Sequence, residues 1–515
     1  MPIVNSVLIR ISDSMVRTGP GSHRRLLWVA LVAFGLGLLS VGYLALSLSG
    51  NTASLFEYSY LIPWILLVFV VVSIPALYLV VRRSFELFHP LVYAAWIYFI
   101  PAFVVGSLLF ATGVQTSWFV ELIPNPERYL PLTLIYIALG FVGLTLGFVI
   151  PLGRRIGGAI GRQLPTWDWE ASDLFRPAMF LVIIGEISKL GAFANMNLGF
   201  QYTEDASTFG AMLYMFGLLS AMGSFLLWFA IFRAKRLTMR HYLIALMLLA
   251  LNVYSMVLGG GKGGLFSNTV LLIAAYLFSG RRIKLKQAML VGLLIAGALF
   301  FGVAYGTAFR QIKGNESQMS LREYLSLGSK VSDQLGRQGM TENLAVATGM
   351  LFRRMETVSQ VAVFVANYEE LHSAEASYGI ADIWTMTRTA FIPRAFWPEK
   401  PYISGARGLG LLYFGSGSSS PAVTPMIDLL RNFGPIGVLL GMVLLGVILR
   451  IVYSALIQGQ RSTAWRSVGY YLLLSNVSYE SMYGSILPVL IRVCFVLLVG
   501  AVILNVMMRR RVRVN

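Results

Sequence analysis

The sequence predicts an all-α, polytopic integral membrane protein of about twelve transmembrane helices with one large external loop. Three observations predict it. Of 515 residues, 57% are hydrophobic and only 12% charged, with a mean hydropathy of +0.71, whereas a soluble domain carries about 25% charged residues. Apolar stretches close to the roughly 20 residues that cross a bilayer recur along the chain. The cations cluster in alternate gaps between those stretches, which is the pattern that orients a multispanning chain.

Candidate spans run near 26–48, 60–81, 90–112, 129–151, 177–195, 210–232, 241–258, 264–280, 288–308, 433–456, 467–483 and 485–508. The first exceeds a signal-peptide core and lacks a small-residue cleavage site, so it is expected to be retained as a helix. On one side of the ladder lie Arg10, Arg17, Arg24 and Arg25, then Arg82 and Arg83, then Arg154, Arg155 and Arg162. The same side continues with Arg233, Lys235, Arg236 and Arg240, with Arg281, Arg282, Lys284 and Lys286, and with Arg461 and Arg466. It closes on Arg509, Arg510, Arg511 and Arg513. The opposite short gaps, near 49–59, 113–128 and 196–209, hold Arg128 as their one cation beside Glu57, Glu121, Glu127, Glu204 and Asp205. Both termini are therefore expected in the cytoplasm. Three regions follow: helices 1–9 over 1–308, a large external loop over 309–432, and helices 10–12 with a basic tail over 433–515.

The net charge of +18 would fit a nucleic-acid binder if it were not distributed this way. Most of it sits where it orients spans and meets anionic lipid, so no nucleic-acid partner is expected and membrane lipids are. The single cysteine, Cys494, lies in the last apolar stretch and offers neither a disulfide framework nor a cysteine metal site. His23, His89 and His241 fall at cytoplasmic ends and leave His372 alone outside, so no metal is expected.

The long segment is where cations need another explanation. It carries Arg310, Arg322, Arg337, Arg353, Arg354, Arg388, Arg394, Arg407 and Arg431 with Lys313, Lys330 and Lys400, on the side that topology should leave poor in positive charge. A solvated loop balanced by the segment's own Asp and Glu explains any one of them. The set is harder to explain so, because Arg353, Arg354, Arg388 and Arg394 interrupt apolar sequence. Guanidinium groups hold their charge and present forked donors that match phosphate oxygens. The stretches 341–371 and 378–397 have helical apolar spacing without 20 uninterrupted apolar residues, and are expected to lie on or dip into the outer leaflet.

The sharpest local pattern is Phe391-Ile392-Pro393-Arg394-Ala395-Phe396-Trp397-Pro398-Glu399-Lys400-Pro401. Its prolines fix the backbone and remove donors, leaving a rigid loop that displays Arg394, Glu399 and Lys400. A Ser/Gly-rich stretch follows, and then Asp428, Arg431 and Asn432-Phe433-Gly434 at the start of the tenth span. These motifs resemble the Wzy-type O-antigen or exopolysaccharide repeat-unit polymerases, closely over 350–440 and loosely over the whole chain. The family pattern places a Glu before Asn-Phe-Gly, and here Asp428 is the nearest acid.

The resemblance implies a GT-C-like architecture in a bacterial inner membrane and transfer of a growing glycan from undecaprenyl pyrophosphate onto a lipid-linked repeat unit. It also implies a chain-length regulator as a possible partner. The leaving lipid pyrophosphate would be neutralised by arginines without a metal or other cofactor. Expected donors to substrate are Arg310, Arg353, Arg354, Arg388, Lys400, Arg407 and Arg431, with Lys262. An acceptor hydroxyl attacking with inversion needs a base; the external candidates are Asp428, Glu399, Glu342, Glu356 and His372. Asp428 is preferred because it is anchored near Arg431, although the helix dipole alone would also favour an acid there. Arg394, Asp428 and Glu399 thus form the expected catalytic set.

Lys262 sits in Gly259-Gly260-Gly261-Lys262-Gly263-Gly264, which suits either anion binding or a tight turn; it lacks the Ser/Thr of a phosphate-binding loop. Glu186 and Lys189 fall one turn apart in the fifth span and can neutralise each other. Arg450, Glu480 and Arg492 are further charges in or near spans, Glu480 with Asn476, Tyr479 and Tyr483 near an external end. Two other readings use the same features. An O-antigen ligase shares the donor, and a lipid-oligosaccharide flippase would line a path with the cations; the single large external loop and the lack of an internal repeat weigh against the latter.

Overall fold

The computed structural model describes residues 57–512 apart from 168, 171, 195–207, 260–263, 282–283, 314–320, 338–339, 391–396, 398–405, 416–420, 422 and 461–462. The described residues form helices and connecting turns. In order these are α1 (Ile62–Val81), α2 (Pro90–Ala111), α3 (Pro126–Val149), α4 (Pro151–Gln163), α5 (Phe175–Ala194), α6 (Thr208–Phe216) and α7 (Leu218–Arg233). Next come α8 (Met239–Gly259), α9 (Gly264–Phe278), α10 (Leu285–Lys313), α11 (Leu321–Arg337), α12 (Met340–Met355) and α13 (Val358–Leu371). The last five are α14 (Ile383–Thr389), α15 (Ala406–Phe414), α16 (Pro425–Leu456), α17 (Ala464–Ser475) and α18 (Tyr483–Val512).

Among the described residues, 8 helices are long and apolar enough to cross a membrane: Ser59–Val81, Pro90–Ala111, Pro126–Val149, Phe175–Ala194, Met212–Arg233, Gly292–Lys313, Pro425–Leu456 and Tyr483–Met508. Each coincides with an expected span. The stretches at 241–258 and 264–280 are shorter apolar helices, and 26–48 lies outside the described residues. The stretch at 467–483 differs in kind. Its helix α17 has 12 residues and is buried from Ala464 through Leu474, a length of roughly 18 Å. It is surrounded by protein instead of lipid, and in the non-helical 476–482 that follows Val477, Tyr479 and Met482 are buried while Ser478 and Glu480 are exposed. Irregular backbone at such depth is tolerated only inside protein.

The spine of the bundle is α16 laid along α3 and α4, and glycines permit the approach. A Cβ on Gly147 would collide with the Val443 carbonyl, and one on Gly157 would stand 2.5 Å from the Ile451 carbonyl. Gly143 and Gly161 meet the Leu439 and Ala455 carbonyls in the same way, at 2.7 and 2.8 Å. Small residues three or four apart let backbones touch, and dispersion contact replaces the hydrophobic drive that lipid removes. The expected pair in α5 is also present: Lys189 Nζ lies 2.7 Å from Glu186 Oε1, and the Ser220 hydroxyl of α7 donates to the same oxygen. In α2, Pro101 has no N–H to give and the helix widens to π geometry over Ala95–Val105.

Hydrogen bonds sort the connections into two ends. At one end Ser117 Oγ meets Ser359 Oγ at 2.7 Å, Ile383 N donates to Asn432 Oδ1 at 3.1 Å, and Gly484 N donates to Asp428 Oδ2 at 3.0 Å. At the other, Trp465 Nε1 donates to the Pro165 carbonyl and Arg466 to the Gly161 carbonyl. That end also joins Arg281 to the Phe232 carbonyl and the Tyr453 hydroxyl to Glu86. The pairs Arg82–Arg83 and Arg154–Arg155 belong to this second end, as does Arg162. The described arginines of the long segment beyond α12 belong to the first.

Within 309–432, α11 and α12 both pack on α10, while α13 packs on α3 and α16. Val358, Val361, Ala362, Val363, Phe364 and Val365 of α13 are buried. The glycine seam gives a test. Gly147→Leu should destabilise the detergent-solubilised protein by about 1–3 kcal/mol through overpacking, whereas Gly158→Leu, with nothing within 4 Å of its Cβ, should leave the thermal midpoint unchanged.

Candidate functional site

Thr424 and Pro425 open α16: the Thr424 hydroxyl accepts from Ile427 N and Pro425 takes the first-turn position where its missing N–H costs nothing. Helical spacing then puts Asp428, Arg431 and Asn432 on one face. Arg431 is 3% exposed and Asp428 0%. The Arg431 guanidinium donates from Nε to Asp428 Oδ1 at 2.7 Å, from one terminal nitrogen to Glu375 Oε2 at 2.6 Å, and from the other to the Ala381 carbonyl at 3.0 Å. Asp428 also accepts from Asn432 Nδ2 at 3.3 Å and from Gly484 N. Every strong acceptor on that carboxylate is engaged, so it holds α16 against the start of α18.

Glu375 lies on the 3₁₀ segment His372–Tyr378. Its Oε1 accepts from the Tyr413 hydroxyl at 2.9 Å, and its Oε2 lies 3.2 Å from His372 Nδ1. The His372 side chain is 53% exposed against 6% for Glu375, so the imidazole is where this buried network reaches the surface. Burial and the adjacent Glu375 raise the Tyr413 hydroxyl well above its ordinary value and keep it a neutral donor.

The Asn-Phe-Gly motif has a structural reading. Asn432 is spent on the Ile383 amide and the Asp428 carbonyl. Gly434 has φ +67°, which a residue with a Cβ rarely adopts, and with Pro435 it kinks α16 between the charged turn and the apolar length. Phe433 is exposed.

A second charged group stands beside the start of α18. Arg354 of α12 donates to both Glu480 oxygens at 3.0 and 3.1 Å, and the two side chains are 52% and 39% exposed. Beneath them the Tyr98 and Tyr479 rings stack at 6.4 Å, and both hydroxyls are buried with no hydrogen-bond partner. Such orphaned groups usually mark a site that water or a ligand completes. Arg353 is exposed; Arg388 is exposed on α14, 3.5 Å from Thr385 Oγ1. Helix α14 packs on α18, with Ile383 and Met386 against Gly484.

Arg354, Arg388, Asp428 and Arg431 are therefore carried by elements that converge on residues 480–484. Arg310 lies on α10 and Arg407 on α15. Arg394, Glu399, Lys400 and Lys262 lie outside the described residues, and of the proline-rich motif only Trp397 is described, half-buried. Glu356 is buried where α13 begins and accepts from the Ser359 amide and hydroxyl; burial outweighs those bonds and raises its pKa. Sequence reasoning missed Glu375 and underrated Glu480. Glu375 is one acid among several in its segment and becomes distinct only through Arg431, 56 residues away. Among the described residues no three His, Cys, Asp or Glu side chains are placed to hold a metal ion.

Fold and charge together define a helical membrane protein of several spans with a buried Arg–carboxylate knot at one end. A family model described as a domain of unknown function (DUF8712) matches residues 189–504, more than half of the chain, and the protein belongs to that family. The match contains the whole Asp428–Arg431–Glu375 knot and the Arg354–Glu480 pair. No curated protein and no solved structure matches.

Two outcomes follow from burial. Arg431→Ala strands two carboxylates and should cost about 3–5 kcal/mol, whereas Arg354→Ala breaks an exposed pair and should cost about 0–1 kcal/mol in the same thermal melt. Glu356 has a folded-state pKa above its unfolded value, so its contribution is fully favourable below about pH 4 and declines as pH rises through the folded value. Glu356→Gln, which keeps an acceptor for the Ser359 amide, should therefore be the more stable protein at neutral pH. That advantage should vanish in melts near pH 4.

Proposed function

We propose that the protein polymerises oligosaccharide repeat units carried on undecaprenyl pyrophosphate, by metal-independent, inverting glycosyl transfer at the outer face of a bacterial inner membrane. The observation that carries this reading is the convergence of Arg354, Arg388 and Arg431 on the start of α18, at the end of the bundle opposite the clusters Arg82–Arg83 and Arg154–Arg155. By the positive-inside rule those clusters face the cytoplasm, and the converging arginines then face outward. In this reading twelve spans, both termini cytoplasmic and a GT-C-like arrangement complete the architecture.

The roles divide by exposure. Arg353, Arg354 and Arg388 are accessible and receive the diphosphate. Arg431 and Asp428 are saturated by protein partners and act as positioning residues, since a fully engaged, buried carboxylate cannot take a proton from an acceptor. His372 is the base: Glu375 orients its Nδ1, and the ring is exposed enough to meet an acceptor hydroxyl. In the transfer, the acceptor oxygen bonds to the anomeric carbon and its proton passes to His372. The bond from that carbon to the diphosphate oxygen breaks, and the electron pair leaves on the lipid diphosphate beside the arginines. A chain-length regulator would act on this same outer end.

The test is a reconstitution with purified lipid-linked repeat units and no nucleotide sugar or ATP. The wild-type chain should elongate them. Arg354→Ala combined with Arg388→Ala should cut elongation by about 100-fold or more while single-repeat substrate persists. His372→Gln should lower turnover. Unchanged chain length in the double arginine variant would remove the assignment of the site. Translocation of the substrate without bond formation would replace the enzyme with a flippase, and transfer to a lipid A core without elongation would replace it with a ligase.

A further inference from the structure

At the opposite end of the molecule, α1, α3, the 84–91 turn and the last turns of α16 enclose a cavity of about 730 Å³, within the range of small-molecule sites. Ile74, Pro75, Leu79 and Val149 give it an apolar side. Its polar side is unsatisfied. Arg450 Nε, His89 Nδ1 and Thr145 Oγ1 all line it, are all buried, and have no hydrogen-bond partner. His89 is 7% exposed.

Arg450 and His89 share a floor. The Arg450 guanidinium carbon stands 4.8 Å from the Phe148 ring and 5.9 Å from that of Tyr453, and the His89 ring stands 4.8 and 5.2 Å from the same two. Among the described residues no carboxylate pairs with Arg450. The acid that lines the cavity, Glu86, accepts the Tyr453 hydroxyl at 2.8 Å. Arg154 adds to the positive field around Arg450. Burial, with Arg450 nearby, pushes the His89 imidazole down to about 3, so the ring is neutral there and still carries one N–H to donate. The Arg450 Nε is buried without an acceptor, which is costly, and three orphaned polar atoms lining one cavity need a partner rich in acceptors.

We propose that this cavity binds a phosphate oxyanion through Arg450, His89 and Thr145. The site is separate from the outer arginines, and its ligand need not be the substrate. Two sources supply the chemistry: the headgroup of an anionic lipid, with its chains along the apolar side, or free phosphate.

The experiment titrates the full-length protein in detergent with three probes, phosphatidylglycerol, phosphatidylcholine and inorganic phosphate, reading the thermal midpoint and bound mass by native mass spectrometry. Phosphatidylglycerol should bind and raise the midpoint more than phosphatidylcholine does. Arg450→Gln should weaken that binding at least about tenfold. Thr145→Val, which keeps the side-chain shape, should weaken it measurably if Arg450→Gln fails to fold. A response to phosphatidylglycerol alone assigns a lipid headgroup; an additional response to inorganic phosphate assigns the oxyanion itself. No response to either phosphate probe, or a response that survives both substitutions, overturns the proposal.

Discussion

One guanidinium organises one end of this molecule. Arg431 is buried among two carboxylates and a carbonyl, and each partner belongs to a different part of the chain: Asp428 to α16, Glu375 to the 3₁₀ turn, Ala381 to the lead into α14. Asp428 then passes the connection to α18 through the Gly484 amide. Charges taken out of water are retained only when their geometry is fully answered, and here it is answered on all sides. A substitution at any member would leave the others buried and unpaired. The exposed groups around the start of α18 are held in register by this arrangement, because α14 and α18 are both tied to it.

The bundle follows a different rule from this charged end. Where α3 and α4 run against α16, glycines replace side chains and backbone meets backbone. That gives a rigid seam without hydrophobic drive, which lipid on the outside would cancel. Charged residues of the interior find partners for part of their polar atoms, as in Glu186 Oε1 with Lys189 and Ser220, or Arg466 with the Gly161 carbonyl. Among the buried polar atoms without a partner, those of Tyr98 and Tyr479 lie near the Arg354–Glu480 pair, and those of His89, Thr145 and Arg450 line one cavity.

Much of the architecture was legible in the sequence because lipid imposes a single requirement on a span. Apolar length finds α1, α3 and α16 directly. It fails at α17, where protein on every side removes the need for 20 residues and Arg466 can be buried near the helix start. The division of charge between the two ends was legible for the same reason. Within the site, Asp428 and Arg431 were readable as a pair because one helical turn separates them. Arg354 with Glu480 was not, since 126 residues intervene and only the folded chain brings them together. The preference for Asp428 as base came from its neighbourhood in sequence, and its saturation by Arg431, Asn432 and the Gly484 amide is a fact of packing. Arg450 reads in the sequence as one more charge in or near a span; its aromatic floor of Phe148 and Tyr453 is assembled from two helices.

The break at Gly434 has a consequence for how such a chain can diversify. Because the left-handed residue and the following proline decouple the first turns of α16 from its apolar length, the two halves answer to different surroundings. The charged turn and its partners Glu375 and Ala381 precede the joint, and the apolar length that lies on α3 and α4 follows it. Substitutions around the knot and adaptation of the apolar length to a given bilayer can thus drift as independent traits.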